Sequence, residues 1–207
     1  MENLRKKTVI AGGLTLAVYL VLFIWVDRAV DLWVHQQGAA SWVFQAGTYI
    51  SCLAKGSFIK LGLALGFLLV IVVDPGLTRG WSRGLLYVCT TGAVAIIIGE
   101  AWKYFLGRYR PIMLFEHDLY GLHFFASKWQ LNSTPSGHTI RAFTLLTALS
   151  LLYRRFTVVF LSLATLIGVS RVMVTAHYPS DVLFGAFIGI FTALWAYKYF
   201  FSKTNNP

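Results

Sequence analysis

Ionised side chains are scarce in this chain. Charged residues make up 13% of its 207 residues, against about 25% in a soluble domain. Half the usual supply cannot coat a water-facing surface, so a soluble globule, a disordered tail and a collagen-like fibre are all excluded. Cysteine is nearly absent. Cys52 and Cys89 fall in different segments with no metal-ligand spacing, which argues against a disulfide scaffold or a zinc site. Internal repeats and low-complexity stretches are missing as well. What is present is apolar: 57% of the residues are hydrophobic and 16% aromatic. The expected class is a multi-pass membrane protein, all-α, with residues 1–207 forming one domain at about 150 residues per domain. The net charge of +10 does not point to nucleic acid, because the basic residues sit between apolar runs and not in one patch.

A membrane helix needs about 20 mostly apolar residues. Six runs qualify as spans of a helical bundle: Thr8 to Val26, Phe58 to Val73, Gly84 to about Trp102, Gly137 to Leu152, Phe156 to about Val174, and Asp181 to about Phe200. The first follows Arg5, Lys6 and Lys7, and Val26-Asp27-Arg28 succeeds it where a signal peptide would show small residues for cleavage. It reads as an uncleaved anchor. With the N-terminus in the cytoplasm, that side holds Arg5, Lys6, Lys7, Arg79, Arg83, Arg154, Arg155, Lys198 and Lys203. The other side holds Arg28, Lys55, Lys60, Lys103, Arg108, Arg110, Lys128, Arg141 and Arg171. The count is a tie. It breaks toward cytoplasmic termini if some outer cations serve chemistry and if the short basic loops at 79–83 and 154–155 are weighted most. Between the first two spans, 27–57 carries Trp33, Trp42, Phe44 and Tyr49 among small and polar residues. It is expected either as one or two helices lying in the membrane interface or as a partly buried loop packed on the bundle.

Three short motifs fall at the outer ends of the last four spans. They are Lys103, six residues, Arg110-Pro111; then Pro135-Ser136-Gly137-His138; then Ser170-Arg171, five residues, His177, three residues, Asp181. Fixed positive charge at a membrane boundary is costly and calls for an anion. Arginine's planar fork matches phosphate oxygens. Ser136 and Gly137 stand where a helix begins, with amides and the positive dipole end available to an oxyanion. Together these describe a phosphate cradle. A neutral His177, steadied by Asp181, can attack phosphorus, while His138 protonates the leaving oxygen and later takes a proton from water. Pro179 suits the first turn of the last helix, which places His177 just before that helix and Asp181 inside its first turn. No carboxylate cluster of the kind that holds magnesium is evident.

The three motifs, matched at every position, resemble the signature of the type 2 phosphatidic acid phosphatase superfamily of metal-independent lipid phosphatases. The resemblance runs from Lys103 to Asp181 and extends to the six-span layout. It implies that His177 is the nucleophile forming a phosphohistidine, that Asp181 orients it and that His138 handles the leaving-group proton. It also implies that Lys103, Arg110, Ser136, Gly137 and Arg171 bind the phosphoryl group, with no metal or other cofactor. The expected protein is then an enzyme of the bacterial inner (plasma) membrane with its site on the outer face. Its partners are the bilayer and a lipid phosphate: phosphatidylglycerophosphate, phosphatidic acid, undecaprenyl diphosphate or a phosphate of lipid A. A lipid-to-lipid phosphotransferase uses the same chemistry. An anion transporter is a different class and would show polar residues along several spans. A haloperoxidase would need vanadate and a soluble body. Glu100, one turn before Lys103, is expected to pair with it. Arg141, one turn after His138, is expected as a solvated interface residue ahead of one that faces the headgroup or a second phosphate. His117 and His123, with Glu116 and Asp118, are expected to meet headgroups or water and not a metal.

Overall fold

The computed structural model describes residues 2–38 and 40–201; Lys203, counted above with the cytoplasmic cations, lies outside them. Among the described residues the secondary structure is helical, apart from isolated bridges of Arg108 to Leu122 and to Asn132. Helix α1 (Glu2–Val21) passes through a π turn, Leu22–Val26, into α2 (Asp27–Gln36). Then come α3 (Trp42–Cys52), α4 (Gly56–Val73), α5 (Gly80–Leu106) and the short α6 (Pro111–His117). The chain ends in α7 (Gly137–Leu152), α8 (Thr157–Met173) and α9 (Pro179–Phe201).

Among the described residues, five stretches are long and apolar enough to cross a membrane: Glu2–Gln36, Trp42–Val73, Gly80–Leu106, Arg154–Met173 and Pro179–Phe201. The other expected span forms as α7 over the expected bounds, but its 16 residues fall short of that length. The reason lies in its surroundings. Helix α7 packs against α5, α8 and α9, so it meets protein where the outer helices meet lipid. It can therefore bury Thr139, Thr144, Thr147 and Ser150 along one short helix. Helix α1 is the opposite case: it buries no residue and leaves Val9, Ile10, Leu14 and Leu16 exposed on the outside of the bundle.

The first apolar run does not stop at Val26, as the sequence suggests. Charged Asp27 breaks a span only if it must reach water, and here it is fully buried, bonded to Arg108 and to the start of α9. The helix therefore continues through it.

Glycines allow a close contact between α7 and α9 beside the site. A Cβ on Gly185 of α9 would lie 2.9 Å from the Ser136 carbonyl oxygen, and one on Gly189 would lie 2.8 Å from the Phe143 Cβ. Small residues four apart let two helix backbones approach this closely. The approach sets the N-termini of α7 and α9 side by side, where the Ser136 N–H donates to the Asp181 carbonyl at 3.1 Å.

Candidate active site

Local chain geometry accounts for the spacing of the third motif. Helix α8 ends at Met173, Thr175 turns through a positive φ of 49°, and the chain reverses. The amides of Ala176 and His177 then donate back to the Arg171 carbonyl, at 3.0 and 3.3 Å. Five intervening residues are what this reversal needs to bring His177 beside the end of α8. Tyr178 next serves as the N-cap of α9, with Pro179 in the first helical position, a place that suits its fixed φ. Asp181 reaches back to the Tyr178 N–H at 3.1 Å, the side-chain half of a capping box.

His177 is 2% exposed. Its Nδ1 lies 2.7 Å from the Ser133 carbonyl oxygen and 3.8 Å from Asp181 Oδ2. The expected steadying of His177 by Asp181 is therefore not a direct hydrogen bond. The carboxylate is within electrostatic range, but the hydrogen bond goes to Ser133, whose hydroxyl in turn donates to Asp181 at 2.5 Å. A carbonyl only accepts, so Nδ1 carries the proton and a neutral ring has its lone pair on Nε2. Burial, then the positive charge of Arg110, with that of Arg171 added and Asp181 opposing, pulls the imidazole down to about 3. The ring is neutral at physiological pH.

Asp181 is held by a residue that the motif spacing treats as filler. Arg108 is fully buried. It donates to Asp181 Oδ1 at 2.6 Å, to Ser180 Oγ at 2.7 Å, to Asp27 Oδ2 at 2.8 Å and to the Tyr120 hydroxyl at 2.9 Å. Its guanidinium lies over the rings of Tyr178 at 4.1 Å and Phe23 at 4.6 Å. Asp27 also accepts from the Ser180 N–H at 3.1 Å. The first amides of α9 are thus closed by two carboxylates with an arginine between them.

Helix α7 begins differently. Ser136 is its N-cap residue but makes no side-chain cap; its Oγ accepts from Thr139 at 2.9 Å. Among the described residues the amides of Gly137, His138 and Thr139 have no protein acceptor, and Ile140 is the first to bond, back to Ser136 at 2.9 Å. A Cβ on Gly137 would lie 3.0 Å from Lys103 Nζ and 3.3 Å from Arg141 Nη1. The absence of a side chain there lets both cations approach the helix start. Lys103 is paired with Glu100 at 2.9 Å, as expected. Arg110 stacks 4.3 Å over Trp129 and donates to the carbonyls of Trp129, Ala176 and Asn132 at 2.8, 3.1 and 3.2 Å. Burial lowers it to about 10, so it stays charged at neutral pH. Arg171 reaches Ser51 through Nη1, and its Nε is buried without a partner among the described residues. His138 makes no ring hydrogen bond among the described residues and lies within the electrostatic reach of Arg171, Arg141, His177 and Lys103.

The residues of all three motifs therefore meet at one end of the bundle. Chemically, the assembly can hold an oxyanion against three open amides and several cations, beside one neutral imidazole with a defined tautomer and a second imidazole free to exchange a proton. Arg141 joins this group. The sequence favoured a solvated interface position for it over one facing the headgroup or a second phosphate, but it donates to the Ala54 carbonyl at 3.1 and 3.2 Å. Asp27, Ser51, Ala54, Arg108, Tyr120 and Ser133 were not singled out by sequence. Only the fact that Asp27 and Arg108 are charges beside long apolar runs hinted at a buried pair. His117 stays outside, 57% exposed and 3.9 Å from Glu116.

The PAP2 superfamily model matches residues 84–205, more than half of the chain. A lipid A 1-phosphatase of Rhizobium etli is 36% identical over 114 residues, 55% of this chain and 49% of the relative. The bacitracin transport permease protein BcrC of Bacillus licheniformis is 30% identical over 140 residues, 63% and 64% of the two chains. The chain spans about half the length of the lipid A 1-phosphatases of Rhizobium that it matches. Its fold matches the crystal structure of a transmembrane PAP2 type phosphatidylglycerolphosphate phosphatase from Bacillus subtilis, with a TM-score of 0.60 at 18% identity, covering 97% of this chain and 98% of the other. The chain belongs to the PAP2 superfamily and is an integral membrane protein.

Proposed function

We propose that this PAP2 chain is a single-domain lipid phosphatase that hydrolyses a phosphomonoester or diphosphate on a membrane lipid through a phosphohistidine, without a metal. The observation that carries the reading is the pairing of the His177 tautomer with the open start of α7. With Nδ1–H donated to Ser133, the Nε2 lone pair attacks phosphorus and the P–O bond to the leaving group breaks. The leaving oxygen takes its electron pair and a proton from His138. Water then attacks phosphorus, gives a proton to His138, and the N–P bond breaks to release inorganic phosphate. Lys103, Arg110 and Arg171, with the amides after Ser136, neutralise the phosphoryl oxygens as charge spreads onto them. Arg108 and Ser133 hold Asp181 where its charge steadies the imidazolium that His177 becomes. The names of the lipid A 1-phosphatase relatives support a phosphorylated membrane lipid as substrate.

In this reading α7 is a sixth span, short because protein surrounds it, and α2 and α3 lie toward the outer interface. The termini are cytoplasmic, in the bacterial inner membrane, and the site faces outward. Phosphate release from purified lipid phosphates in detergent tests the reaction. It should survive excess EDTA and be inhibited by vanadate; loss in EDTA restored by magnesium would overturn it. The same assay with an acceptor lipid reports phosphotransfer if label passes to lipid instead of water. Single cysteines in 107–135 should label from outside sealed cells and those near Arg79 and Arg154 should not; the reverse pattern overturns the topology.

A further inference from the structure

The π turn that joins α1 to α2 lies outside residues 84–205, which match the family model. Such turns add one residue to the helical ladder and are frequent at functional sites. Here the Asp27 amide donates to the Leu22 carbonyl, where an α-helix would direct it to Phe23. The Phe23 carbonyl accepts from the Tyr120 hydroxyl. One extra residue also rotates everything after it by about 100°. In that register the Asp27 side chain is fully buried and accepts from Arg108 and from the Ser180 amide and hydroxyl.

Arg108 divides its amino groups between two carboxylates. Nη1 donates to Asp181 at 2.6 Å and Nη2 to Asp27 at 2.8 Å. One positive charge is thus shared between two negative ones, with all three side chains fully buried. A guanidinium paired with Asp181 alone would cancel it. A neutral pair 3.8 Å from His177 Nδ1 does little for an imidazolium. With Asp27 on the other arm the cluster keeps one negative charge, and burial strengthens its effect. Asp31, one turn further along α2, is equally buried but makes no hydrogen bond to Arg108.

We propose that Asp27 is a positioning residue for phosphoryl transfer: set by the π turn, it takes one arm of Arg108 so that Asp181 keeps a net negative charge for the His177 imidazolium. This rests on the phosphatase reading above. Nε2 bonds to phosphorus, the P–O bond to the leaving group breaks, and the leaving oxygen takes that electron pair and a proton from His138. Nδ1 keeps its proton, so the ring gains one positive charge. It loses that charge when water attacks phosphorus and the N–P bond breaks. The negative cluster therefore favours formation of the phosphoenzyme and does not assist its hydrolysis.

The test is a rapid acid quench on the full chain in detergent. The substrate is labelled phosphatidic acid or labelled farnesyl diphosphate, whichever wild type turns over faster. Asp27→Asn should slow phosphoenzyme formation about 10-fold or more, and its hydrolysis should be as fast as in wild type or faster. A merely structural loss would slow both steps, and that result, or unchanged formation, overturns the proposal. Asp27→Glu keeps the charge and should form phosphoenzyme faster than Asp27→Asn; equal rates overturn it. Asp31→Asn should match wild type in both steps. A loss equal to that of Asp27→Asn would assign the effect to buried charge in general and overturn the route through Arg108. Failure of Asp27→Asn to fold also overturns it, because the Arg108–Asp181 pair left behind is neutral and hydrogen-bonded. Wild type that releases phosphate with no phosphoenzyme removes the phosphohistidine reading and this inference together. A wild-type phosphoenzyme with Asp27→Asn unaffected removes the inference alone.

Discussion

Two helix N-termini lie side by side at the candidate site, and they are finished in opposite ways. At α9 the Tyr178 and Ser180 amides are taken by the carboxylates of Asp181 and Asp27, and Arg108 neutralises both acids in full burial. At α7 three successive amides are left without acceptors among the described residues, and the cations drawn to them, Lys103 and Arg141, have Glu100 as a counter-charge. Both ends offer the same positive dipole. The one that the protein closes with its own anions serves as framework. The one it leaves open, and surrounds with cations, is shaped for an anion that comes from elsewhere.

The contrast can be broken at its most demanding point first. His177→Ala removes the proposed nucleophile. Turnover should fall about 10⁴-fold or more, and no acid-stable or acid-labile phosphoenzyme should accumulate in a rapid quench with labelled substrate. Label that still accumulates would move the nucleophile elsewhere. His138→Ala acts on the open side alone. It should cost about 10²–10⁴-fold where the leaving alkoxide is poor and much less on an activated aryl phosphate; equal losses on both would remove His138 from proton transfer.

Arg108→Met attacks the closed side. It leaves Asp27 and Asp181 buried without their partner, which should cost about 3–5 kcal/mol of stability, read as a lower midpoint in detergent thermal unfolding. A midpoint unchanged from wild type would mean that the closed end is not framework. Gly137→Ala tests the open side by geometry. The added Cβ displaces Lys103 and Arg141, so activity should fall up to about 10²-fold with stability nearly unchanged, and a drop in stability without one in activity would reverse the assignment.

The smallest effect is in pH. His177 is held near 3 in the fold against about 6.5 when unfolded. The unfolded chain therefore binds the extra proton, and stability is full above about 6.5 and declines as pH falls toward 3, by at most about 1.4 kcal/mol per pH unit. His177→Gln should flatten that slope in stability measured from pH 7 to 4. For the wild type, phosphoenzyme formation should persist to about pH 4, because the nucleophile stays neutral there. A burst that vanishes near pH 6.5 would show that the imidazole is not held neutral.

The amino-acid sequence by itself determined most of the helical layout. Long apolar runs have no other way to satisfy their backbone in lipid, so the expected bounds of α4, α8 and α9 fall within about two residues of those observed, and α7 matches in full. It also singled out the motif residues that the fold gathers at one end of the bundle, because motif spacing reflects local geometry such as the reversal from Arg171 to His177. What only the tertiary structure decided is how each of those residues is held. Asp27 meets Ser180 from 153 residues away, Arg108 meets Asp181 across 73, and Arg141 meets Ala54 across 87. No local pattern encodes such pairs. They exist because buried charges and carbonyls must find partners within the fold, and which partner is near depends on how the helices pack. The glycines of α9, by letting α7 come close, placed a closed helix start beside an open one.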